Sequence, residues 1–134
     1  MIDTSSVKKQ SFGKSKFWLL IMDDCTGVCW SRFLKKKSDQ VDLIINLLKD
    51  LKSKHNKTVK LIRCDNAGEN KSLQKLCEKE GLGIQFEYTA PGTPQLNGRV
   101  ERKFATLYGR VRAMLNGARL TKELRNGLWT GACH

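Results

Sequence analysis

Phe17-Trp18-Leu19-Leu20-Ile21-Met22 is an unbroken apolar run between a polar stretch, residues 5–16, and the acidic pair Asp23-Asp24. It falls well short of the roughly 20 residues a membrane helix needs. It also lacks the alternation of a strand with one wet face. A run of this kind fits a strand covered on both faces. Downstream, Thr26-Gly27 marks a turn, and Val28–Leu34 reads as the second strand of a hairpin. Upstream, residues 5–16 are rich in Ser, Lys and Gly and read as a turn leading from a strand at the amino terminus. Trp18 and Trp30 are expected in the core.

Past the hairpin, Ser38 is a candidate N-cap, and Asp39 suits the positive end of a helix dipole. Val41, Ile44, Leu48 and Leu51 then recur at helical spacing, which predicts an amphipathic helix over residues 39–54. Val59–Cys64 reads as a strand that delivers Asp65 at its carboxyl end. Asn70 is a candidate cap for a short helix carrying Leu73, Leu76 and Cys77, stopped by Gly81. Ile84, Phe86 and Tyr88 alternate with Gln85 and Glu87, as in a half-buried strand. After a loop over Thr89–Gly98, a long helix is expected to begin near Asn97 or Gly98 and to end at Gly117. Its apolar stripe is Val100, Phe104, Leu107, Val111 and Met114, with Glu101 in the first turn beside that stripe. Residues 121–134 begin another helix. This order predicts an α/β fold, a mixed five-stranded sheet flanked by helices on both faces. Ligands of such sheets bind at the carboxyl ends of strands, where Asp65 stands. We divide the chain into a core over residues 1–117 and the start of a following helical segment over 118–134.

The chain has 134 residues, 25 of them basic against 13 acidic, for a formal charge of +12. That excess points to a polyphosphate partner, since each neutralised phosphate releases counterions. Residues 99–125 hold eight Lys or Arg and two acids, and this stretch surrounds Glu101. The five cysteines form no C-x-x-C pair, and the two histidines, His55 and His134, lack zinc-ligand spacing. Zinc binding is therefore not expected, and reduced intracellular thiols are. Neither a membrane nor a small-molecule substrate is expected as a partner.

The chemistry lies in the carboxylates. Asp65 sits in Arg63-Cys64-Asp65-Asn66-Ala67-Gly68-Glu69-Asn70, and Glu101 in Pro94-Gln95-Leu96-Asn97-Gly98-Arg99-Val100-Glu101-Arg102-Lys103, with 35 residues between them. Asp3 stands near the amino terminus. Carboxylates are the natural ligands of Mg²⁺ and Mn²⁺. Two such ions about 4 Å apart can activate an attacking oxygen and stabilise a leaving one on phosphorus. A basic chain with this acidic set points to the cutting or joining of DNA.

These segments, together with Phe17–Asp24, Trp30–Lys35 and Leu120–Ala132, resemble the catalytic core of copia-type retrotransposon integrases, within the retroviral integrase superfamily. The resemblance implies an RNase H-like fold and a D,D-35-E site holding two Mg²⁺ or Mn²⁺ ions. It implies removal of nucleotides from the 3′ ends of element DNA, then joining of those ends to target DNA by direct transesterification. Asp65 matches the second acid and Glu101 the third. Asp3 matches the first, with Asp23 or Asp24 as the rival. Asn97 matches a loop residue that approaches the DNA end. Gln95, Arg99, Arg102, Lys103, Arg110 and Arg112 are further candidate DNA contacts. The family also implies homo-oligomers, a nuclear place of action and a longer parent polyprotein. The chain departs from the family pattern at Ala67, where glycine is usual, and at Asn70, where an aromatic is usual. Gly92 replaces a larger residue, and Arg99-Val100 a smaller apolar pair. Two other readings of the same residues are an RNase H-type nuclease and a non-catalytic nucleic-acid-binding relic.

Overall fold

The computed structural model describes residues 1–90 and 94–130, with the side chains of residues 94–97 outside that description. Strand β1 (Ile2–Ser6) pairs antiparallel with β2 (Phe17–Met22), and β2 pairs antiparallel with β3 (Cys29–Leu34). A 3₁₀ turn over Lys37–Asp39 leads into helix α1 (Gln40–His55). Then come β4 (Leu61–Asp65), α2 (Gly68–Lys79), β5 (Gln85–Thr89), α3 (Pro94–Gly117) and α4 (Lys122–Gly127). β4 and β5 run parallel through the α2 crossover, as a parallel pair requires. β4 packs beside β1. The five strands of the expected sheet thus hydrogen-bond as a group of three and a group of two.

β2 is covered on both faces, for the reason its composition gives. Leu19 points into a core with Ile2, Leu34, Ile44, Ile45, Ile62, Cys64, Leu73 and Cys77, roofed by α1 and α2. Trp18, Leu20 and Met22 point the other way, into a second core with Val100, Phe104 and Val111 of α3 and with Trp129. At the α4 end Gly127 lies under the exposed Phe12 ring, and a Cβ there would require that ring to turn aside.

Several expected boundaries move. α3 starts at Pro94, not near Asn97, since proline is well suited to a first helical position. Glu101 therefore lies about two turns into the helix. Ser38 and Asp39 are both taken up in the 3₁₀ turn, so α1 begins at Gln40, with Asp39 in the N-cap position and no side-chain cap. α2 begins before Asn70, with Ala67 as its N-cap and the Asn70 side chain buried instead of capping. Met114 is 57% exposed, and Leu115 packs in its place. Trp30 is only half-buried, and Trp129 is the second tryptophan of the core.

Candidate metal and nucleic-acid site

The pleat sets the site. On β1, Ile2 faces the α1–α2 core, so Asp3 and Ser5 project toward α3. Ser5 accepts a hydrogen bond from the Tyr108 hydroxyl of α3 at 3.1 Å, which fixes that orientation. On β4, Ile62 and Cys64 are in the α1–α2 core, so Arg63 and Asp65 share the α3 face with Asp3. On α3, Glu101 shares a stripe with Tyr108 at i+7 and so lies on the flank that meets β1.

Asp3 is half-buried, and its carboxyl is held above its ordinary value. Burial is the main cause. The charges of Asp65 and Glu101 add to it, and the Thr4 amide, donating to Oδ1 at 2.8 Å, opposes it. Asp65 and Glu101 thus both act on Asp3. Among the described residues, no three His, Cys, Asp or Glu side chains stand together as a ready-made metal cluster. The donor chemistry nonetheless fits a hard divalent cation: three carboxylates, one of them held in a repulsive and partly desolvated place.

Because ionised Asp3 is disfavoured in the folded state, its charge costs stability above its raised pKa, and the cost fades as pH falls through it. Asp3→Asn keeps the acceptor for the Thr4 amide and removes the charge. It is expected to raise the melting temperature at neutral pH in metal-free buffer by several degrees, the scale of ~1 kcal/mol in a domain of this size. Thermal scans across pH check this. A variant no more stable than the parent at neutral pH would contradict it.

The rival acids are engaged elsewhere. Asp23 closes the β2–β3 turn, accepting from the Thr26 hydroxyl and the Cys25 and Thr26 amides, and the Thr26 hydroxyl is the main cause that holds its carboxyl below the ordinary range. Asp24 pairs with Arg63 at 3.5 Å and Arg99 at 3.4 Å. Arg63 also reaches Glu87 at 2.9 Å, opposite it in the ladder. Arg99 therefore serves as a clamp from α3 to the end of β2. By helical spacing Lys103 and Arg110 share its flank, across the core stripe from Glu101, while Arg102 faces solvent. Arg112 falls on the Glu101 flank. With Lys8, Lys122 and Arg125 it rims a cleft of about 390 Å³ over Val111 and Trp129. Gln95 and Asn97 lie in α3, but their side chains fall outside the described residues. Cys64, beside Asp65, is no nucleophile: burial, then the Asp65 charge, push its thiol up to about 12.

The sequence reading missed what holds Asp65. Its Oδ1 accepts from Asn70 Nδ2 at 2.6 Å and from the Ala67 amide at 3.2 Å. Asn70 was read as a helix cap and as a departure from the family pattern, not as a partner of Asp65.

No protein-family model matches the chain. Over 128 residues it is 34% identical to the retrovirus-related Pol polyprotein of transposon TNT 1-94 from Nicotiana tabacum, a match covering 93% of this chain and 9% of that protein. It superposes on a chain of a simian T-cell lymphotropic virus intasome, solved by cryo-EM with the PP2A regulatory subunit B56 gamma, with a TM-score of 0.69 at 17% identity. That match covers 98% of this chain and 45% of the other. Against the catalytic core domain of BIV integrase the TM-score is 0.61 at 23% identity, covering 98% and 78%. The chain is similar to part of a retrovirus-related Pol polyprotein and has the fold of the integrase catalytic cores. In this fold the face carrying Asp3, Asp65 and Glu101 lies between β1, β4 and α3. No helix among the described residues is long and apolar enough to cross a membrane.

Proposed function

We propose that this chain is the catalytic core of a retrotransposon integrase, acting in the nucleus as part of a homo-oligomer on element ends and target DNA. Asp3, Asp65 and Glu101 would hold two Mg²⁺ or Mn²⁺ ions. What carries this reading is the placement of Asp3, Asp65 and Glu101, by strand pleat and helix spacing, toward one face between β1, β4 and α3. Its support over Asp23 and Asp24 is that those two are engaged in a turn and an arginine clamp. When bound, the cations supply Lewis-acid stabilisation of charge on the attacking and leaving oxygens.

The chain's own residues do the rest. Asp65, at the end of β4, presents a carboxylate whose orientation is set by Asn70 and Ala67. Glu101 approaches from α3, held against the sheet by Val100 and Phe104, both buried. Arg102, Arg110 and Arg112 are exposed and available to phosphates. The proposed sequence of 3′-end processing and strand transfer needs no covalent enzyme intermediate, which accords with the inert Cys64 thiol.

The test is strand joining on a branched, disintegration-type DNA substrate with Mn²⁺. The parent chain is expected to join, and Glu101→Gln to show no joining while retaining its fold. Joining by that variant would sink the assignment. Activity in neither, with salt-sensitive DNA binding intact, would point to a module that only binds.

A further inference from the structure

A line of hydrogen bonds runs through the protein from the strand of Asp3 to the carboxylate of Asp65. The Thr4 hydroxyl donates to Gln40 Oε1 at 2.8 Å. Gln40 Nε2 donates to Asn70 Oδ1 at 2.9 Å, and Asn70 Nδ2 donates to Asp65 Oδ1 at 2.6 Å. Gln40 is 1% exposed and Asn70 4%, so neither amide can turn to water instead. Their directions follow from the far end. An ionised carboxylate only accepts, so Asn70 must present its NH₂ to Asp65. Its oxygen is then left to accept from Gln40, and the Gln40 oxygen to accept from Thr4. Each link thus has one orientation, set by the charge it ends on.

We infer that Gln40 and Asn70 are positioning residues that fix the Asp65 carboxylate relative to β1, and hence to Asp3. Among the described residues both donors to the carboxylate, Asn70 Nδ2 and the Ala67 amide, take Oδ1, which leaves Oδ2 for a ligand. Asn70 also donates to the Asp65 carbonyl at 3.2 Å, so backbone and side chain are tied together at the strand end. α1 and α2 each contribute one amide, and the link therefore reports on the packing of both helices. A buried polar chain of this length specifies one arrangement when every member is satisfied. That is the service a carboxylate needs if its partner acid sits on another strand. The role in metal binding rests on the proposed function, whereas the positioning itself does not.

Two measurements separate them. Asn70→Leu alone strands the Gln40 amide and is expected to lower stability. Gln40→Leu/Asn70→Leu removes both polar partners, leaves one Thr4 hydroxyl without its acceptor, and should recover most of the loss. In a metal-free crystal structure of the double variant, Asp65 is expected to leave its parent rotamer or spread over several. An unchanged, ordered Asp65 would overturn the inference. In solution, Mn²⁺ affinity of the double variant is expected to fall about tenfold or more, the usual consequence of removing a group that orients a ligand. Parent-like affinity in a variant that has recovered its stability would show the pair to be packing only. A parent chain that binds no Mn²⁺, together with a displaced Asp65 in the variant, would overturn the proposed function and leave the positioning role standing. Should the double variant not fold, Asn70→Ser serves the same two measurements. It keeps a polar group in the space but is too short to reach Oδ1.

Discussion

Asp65→Asn is expected to lower strand joining by about three orders of magnitude or more, while the melting temperature stays within a few degrees of the parent. The size follows from charge. A neutral amide oxygen is a poor ligand for a hard cation, so the variant would hold poorly a cation that would otherwise stabilise charge on a reacting oxygen. A thousandfold loss corresponds to about 4 kcal/mol of transition-state stabilisation. The small effect on stability follows from geometry. Asp65 is exposed, and asparagine keeps an oxygen at the position that accepts from Asn70 and Ala67. Single-turnover joining and thermal unfolding of the same preparation check both halves. A variant that joins at a tenth of the parent rate or better would remove Asp65 from the reaction. One that unfolds would mean that its charge, not its shape, holds the end of β4.

The elements with a strong local signal were legible. Phe17–Met22 is a strand covered on both faces because every side chain in it is apolar, and no pattern other than two buried faces accommodates that. Asp65 and Glu101 were singled out by their surroundings and their spacing, and strand pleat and helix spacing turn both toward the face that carries Asp3. What escaped depends on contacts between distant segments. Residues 114 and 115 lie equally far from the centre of the α3 stripe, so periodicity alone cannot choose between them. The choice falls to Leu115 because the second core, with Trp129, lies on its side. Asn70 looked like a cap, since asparagine favours that place. Its true partners, Gln40 and Asp65, lie 30 and 5 residues away. Arg99 looked like a phosphate contact and is drawn instead to Asp24, 75 residues earlier in the chain. Charges and amides choose partners in space, and their sequence neighbours carry no trace of the choice.

Trp18→Ala is expected to cost about 3–5 kcal/mol, a large share of the 5–15 kcal/mol typical of a domain. Trp18 is 1% exposed and stands at the centre of an aromatic cluster drawn from β2, β3, α3 and the turn after α4. Its ring lies 4.7 Å from Tyr108 and 5.7 Å from Phe104, both edge-on, 5.6 Å from Phe33 and 6.4 Å from Trp129. Edge-to-face pairs add to the burial term. Its indole N–H also satisfies Ser31 Oγ at 2.7 Å. Alanine would leave a cavity that four packed rings cannot close without moving α3. That movement matters for chemistry, because Phe104 and Tyr108 are the residues by which α3 is registered on β2, and Glu101 lies within two turns of both. The urea midpoint should therefore fall by more than 1 M at the usual slope for small domains. Joining should fall with it, even below the unfolding range, as Glu101 loses its register. Trp30→Ala is the control: Trp30 is half-buried and outside both cores, so its midpoint should shift far less. Equal shifts in the two variants would mean that β3, not the face between β2 and α3, limits stability. Full joining by a folded Trp18→Ala protein would separate the placement of Glu101 from the aromatic core.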